Sequence, residues 1–88
     1  MDAFPGGDLI DAGLRDLAQG VESVPALLVS IGSPRLRRLG FPIDRPLPSP
    51  ELRLYALLSQ DDSDSAHSRY NALIRRLVSF ERALSCAS

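Results

Sequence analysis

The sequence predicts an all-α fold, a small bundle of four main helices plus one short helix, with a proline-rich crossover before the third main helix. Three observations carry this expectation. Positions 66, 70, 73, 77, 80, 84 and 87 are Ala, Tyr, Leu, Leu, Phe, Leu and Ala, an uninterrupted heptad stripe. Residues 8–19 repeat apolar side chains at the spacing of one helical face. Between these two segments, Ser-Pro and Gly-Ser-Pro steps cut the chain into helix-length pieces, each opening on a capping residue and a first-turn proline. Eighty-eight residues make one domain, read as 1–88, with 1–7 a flexible N-terminus and 41–50 an extended connector.

The first helix is expected over 8–19. Asp8 follows two glycines and serves as N-cap, and Asp11 lies near the positive end of the helix dipole. Leu9, Ile10, Gly13, Leu14, Leu17 and Val21 fall on one side, Asp11 and Arg15 form an i,i+4 pair, and Gly20 supplies the stop. Ser23 caps the second helix, where Pro25 is tolerated because its missing N–H has no helical partner in the first turn. The run "ALLVSI" is apolar on nearly every side, so this helix is expected to be the most buried element.

Gly32-Ser33-Pro34 breaks that helix and starts a short one over 34–39, with Ser33 as cap and Gly40 as end. The pair resembles a helix-turn-helix in outline, with a second member that is short for a recognition helix. "GFPIDRPLPSP" holds four prolines in eleven residues and is expected to wrap across the helices as an extended crossover. Ser49-Pro50-Glu51 then starts a helix with cap, first-position proline and first-turn acid. Its Leu52, Leu54, Tyr55, Leu57 and Leu58 cover more than half of the circumference, which predicts a helix that is largely buried, or buried on one side and against a partner on the other. "QDDSDS" is an acidic connector whose aspartates lie near the positive end of the last helix.

Charge is uneven under a net value of −1. Residues 1–33 hold Asp2, Asp8, Asp11, Asp16 and Glu22 against Arg15 alone, whereas 34–60 hold Arg35, Arg37, Arg38, Arg45 and Arg53 against Asp44 and Glu51. Such a split predicts acidic helix against basic helix rather than a nucleic-acid binder, which more often shows an overall basic balance. All ten basic side chains are arginine, which suits phosphate or carboxylate recognition but is first read as the coding bias of a GC-rich genome, suggesting a bacterial source. "MDAFPGGD" has neither the basic start nor the apolar core of a signal peptide. No apolar run approaches the roughly 20 residues of a transmembrane helix. Both point to a soluble cytoplasmic protein.

On the last helix, Tyr70, Leu73, Leu77, Phe80 and Leu84 form the stripe, flanked by Arg69 and Arg76. The stripe reads first as the spine of the bundle; these seven residues are also the candidate partner interface, for a protein partner or a second copy as a homodimer. Arg75 and Arg82 lie opposite the stripe and join Arg35, Arg37 and Arg38 as candidate anion or nucleic-acid contacts. Glu81 falls inside the apolar sector, where an unpaired carboxylate is costly, so it is expected to pair with Arg35, Arg38 or Arg53.

Chemistry is sparse. His67 is the only histidine, with Asp64 and Asn71 at helical spacing but no second histidine or cysteine to complete a metal site. Cys86, near the end of the chain, has no partner for a disulfide. No phosphate loop, nucleophile elbow or CxxC pair occurs. The expectation is therefore a non-enzymatic interaction module or regulatory subunit, antitoxin- or adaptor-like, with no cofactor, metal or membrane. The alternative is a nucleic-acid-binding regulator using the clustered arginines.

Overall fold

The computed structural model describes residues 4–87. Five helices follow in order: α1 (Gly7–Ala18), α2 (Val24–Ile31), α3 (Ser33–Arg38), α4 (Pro50–Asp61) and α5 (Ala66–Ala87). They take up 71 % of the described residues, and no strand occurs among them.

α2 is the hub. Every other helix packs on it, and Ala26, Leu27, Leu28 and Val29 are all fully buried. The all-round apolar composition of this segment has that physical meaning: no side of it can face water without cost. Its start is as expected, with the Ser23 hydroxyl accepting from the Ala26 amide at 3.2 Å. Ser23 also donates to the Asp16 carboxylate at 2.6 Å, which ties the end of α1 to the start of α2.

The α1–α2 crossing depends on Gly13. A Cβ there would come within 2.8 Å of the Pro25 carbonyl carbon, and nearer still to its oxygen and to Val29 Cγ2. Two helices this close need a residue without a side chain at the contact.

Three helix starts differ from expectation. α1 begins a residue early, and its N-cap is Gly6 in the left-handed region (φ 79°), so Asp8 stands in the first turn instead of capping. Ser33 lies inside α3, buried, and Gly32 takes the cap position. Ser49 adopts φ 46° and makes no side-chain cap bond to α4. A left-handed serine directly before a proline is strained, since proline pushes its predecessor toward extended backbone.

Four further expectations are corrected. Phe4–Gly7 is docked rather than loose, with the Phe4 ring edge-on to Phe80 at 6.2 Å between centroids; residues 1–3 of the expected flexible stretch lie outside the described residues. Val21 follows α1 and is exposed, because the chain turns at Gly20 before the next helical position on that face. No ion pair joins Asp11 to Arg15 within 4.0 Å among the described residues. Asp61 is the last residue of α4 and not part of the connector.

The proline-rich segment does wrap across the helices. Its Ile43 is buried, its Phe41 ring meets Phe80 at 5.8 Å, and its Leu47 amide donates to the Ser30 hydroxyl on α2 at 3.0 Å. Arg37 Nε holds the near end of this strap by donating to the Ile43 carbonyl at 2.6 Å. Phe80, with no exposed surface, is thus where the N-terminal segment, the strap and α5 meet.

Candidate functional site

The split charges meet each other across the fold. Arg76 reaches Asp8 of α1 at 3.2 Å, Arg53 pairs with Glu22, and Arg69 reaches Asp61 at 2.7 Å. The two arginines on the flank of the α5 stripe therefore already have acidic partners within the chain. Arg37 is held by the strap carbonyl. Of the candidate anion contacts, Arg35, Arg38, Arg75 and Arg82 remain exposed and make no ion pair within 4.0 Å among the described residues.

The α5 stripe is directed inward. Ala66, Leu77 and Phe80 are buried, and Tyr70, Leu73 and Leu84 are partly buried against the same core. Leu77 and Phe80 are closed to a partner in this fold, because the stripe packs along the hub and the α4 face. Tyr70 stands at the edge of the stripe, its ring 5.9 Å from that of Tyr55 on α4. Burial and the nearby Glu51 carboxylate both raise its hydroxyl pKa.

The outer face of α4 presents the opposite case. Leu54 and Leu58 are buried, while Leu52 is 74 % exposed and Tyr55 41 % exposed. Leu52, Tyr55, Ala56 and Ser59 recur at i, i+3, i+4 and i+7, so they form one outward row with no charge in it. This second row was visible in the sequence as the unusual apolar coverage of α4, although the sequence alone does not say which half faces water.

Glu81 lies in a cleft of about 300 Å³ between the α2–α3 turn and α5. The residue is only 5 % exposed. Its Oε2 packs against Gly32, so closely that a Cβ at that position would be 3.1 Å from the oxygen. Burial raises the carboxyl pKa, and the Arg35 charge, the smaller effect, pulls it back. No ion pair with Arg35, Arg38 or Arg53 forms within 4.0 Å: Arg53 is taken by Glu22, and Arg35 stays at the rim and acts through space. Neither carboxylate oxygen is sealed from solvent without a partner.

A wider groove of about 680 Å³ runs between the end of α1 and the strap, with Leu14, Leu17, Ile43 and Leu47 along it and Asp44 and Arg45 beside them. Nothing in the sequence marks this groove, because it arises from how the strap is laid over α1.

His67 Nε2 lies 3.2 Å from Asn71 Nδ2, an exposed local contact on the first turns of α5. Among the described residues no group of three or more His, Cys, Asp or Glu is arranged to hold a metal ion, and no helix is long and apolar enough to cross a membrane. These surfaces define a small all-α domain with one uncharged outward helix face and one carboxylate-bearing cleft. Comparison with protein-family models, curated proteins and solved structures finds no match.

Proposed function

We propose that the chain is a non-enzymatic protein–protein interaction module that docks through the outer face of α4. The observation that carries this reading is Leu52, three-quarters exposed beside Tyr55 in a row without charge. An isolated exposed leucine is ordinary, but an aligned apolar and aromatic row on a rigid helix has the form of a helix-face contact. The occupant is a second copy of the chain or another protein presenting a matching apolar face. Size and composition fit a cytoplasmic regulatory subunit of bacterial source, antitoxin- or adaptor-like, by analogy of class alone.

Size-exclusion chromatography with light scattering, run over a range of concentrations, tests this reading. A dimer mass that reverts to monomer in Leu52→Glu supports it, because that substitution touches no core contact. A strict monomer whose α4 face also binds no apolar dye overturns it.

The nucleic-acid reading rests on a separate observation, that Arg35, Arg38, Arg75 and Arg82 are exposed and free of ion pairs among the described residues. It requires an affinity for DNA or RNA that falls steeply with salt. The absence of binding at low ionic strength removes it.

A further inference from the structure

We propose that the cleft between the α2–α3 turn and α5 is a binding site for a small organic cation, an ammonium or amidinium head on a short apolar body, with the head held by the Glu81 carboxylate. Three features place it there. Glu81 is 95 % removed from solvent by its own fold, and among the described residues no hydrogen bond or ion pair reaches its carboxylate. The Glu81 oxygens are not sealed from solvent, but a carboxylate in so apolar a setting favours a charged donor over water. Its oxygens retain an opening through the cleft, which at about 300 Å³ is at the small end of the range for small-molecule sites.

The walls decide the chemistry of the occupant. Ile31, Ile74, Leu77 and Val78 line the cleft with hydrocarbon, and Glu81 and Arg35 are its only ionisable residues. An apolar body lies against the first four while a donor head meets Glu81. A charge-assisted bond from an ammonium is about twice as strong as a neutral one. The Arg35 charge favours the ionised carboxylate, the form that holds a cation, although burial is the larger effect and opposes it. Its guanidinium stays exposed on the rim, beyond ion-pair distance, so the inner position at the carboxylate is open to a smaller cation. Gly32 allows this depth: any side chain there would meet Leu77 Cδ1 at 2.9 Å and close the floor over Glu81.

Titration with n-butylammonium, followed by ¹H–¹⁵N NMR and by the ¹³C shift of the Glu81 carboxyl, tests the proposal. The expected result is saturable shifts at Gly32, Val78 and Glu81 that weaken as pH falls and Glu81 takes up a proton. n-Butanol binds less well, and pentanoate does not bind. Glu81→Gln keeps the shape of the cleft and weakens binding at least about tenfold, the loss of one charge-assisted bond. Binding of pentanoate equal to that of the amine, shifts unchanged in Glu81→Gln, or the absence of saturable shifts at these residues each overturns the assignment.

Discussion

The Leu47 amide donates to the Ser30 hydroxyl across 3.0 Å, and the same hydroxyl donates to the Ala26 carbonyl at 2.9 Å. A single buried oxygen on the hub thus fastens the strap, which has few backbone bonds of its own because prolines lack the donor. Ser30→Ala leaves the Leu47 N–H without a partner and is expected to cost about 1–3 kcal/mol. Denaturant unfolding measures the loss, and faster amide exchange at Leu47 than at Leu28 shows that the strap loosens first.

Gly13 and Gly20 separate two reasons for a glycine. Gly13→Ala forces α1 and α2 apart and is expected to cost roughly 1–3 kcal/mol, the range for overpacking. Gly20 has open space around it but sits at φ +73°; Gly20→Ala is expected to cost only the left-handed penalty of about 1 kcal/mol. Thermal melts of both variants check the order, which reverses if α1 shifts freely on the hub.

Glu81 gives the fold a definite response to pH. Its carboxyl pKa is higher folded than unfolded, so the folded chain binds the proton more tightly, and stability contributed by this group falls as pH rises from the ordinary carboxylate range through the raised value. Wherever Glu81 is ionised, its charge therefore burdens the fold. Glu81→Gln is expected to stabilise it by on the order of 1 kcal/mol, roughly 4–8 °C in Tm for a domain of this size. That gain shrinks toward zero in acid, and melts of the two chains between neutral and acid pH read it directly.

The three ion pairs among the described residues are all on the surface. Arg76→Ala, Arg69→Ala and Arg53→Ala are each expected to cost under about 1 kcal/mol, less than the loss of the single Ser30 hydroxyl. A larger loss at Arg76 alone indicates that its alkyl stem, and not its charge, carries the contact with α1; repeating the melts in high salt distinguishes the two.

Much of this architecture was legible in the residues. The hub followed from an apolar run with no polar side, and the inward face of α5 from its heptad spacing, since both are periodic and local. The helix starts were less legible. Ser49 and Asp8 have capping chemistry, but a cap also needs the chain to enter at the right angle, and here the strap and the Phe4 segment set that angle. The heptad spacing of α5 favoured the core over a partner seam without excluding the seam, and the placement of α2 and α4 against it decides. The Glu81 cleft depended on Gly32 and Leu77 being side by side across 45 positions of sequence, a relation with no local signal.

The contact between Phe4 and Phe80 has a consequence for synthesis. Domains form as units while the chain emerges from its N-terminus, and α1 can pack on α2 as soon as both are out. The Phe4 segment and the Phe41 end of the strap have no Phe80 ring to dock on until α5 has largely emerged. A nascent chain halted early in α5 therefore carries a paired α1 and α2 with the side facing α5 still open to chaperones and proteases.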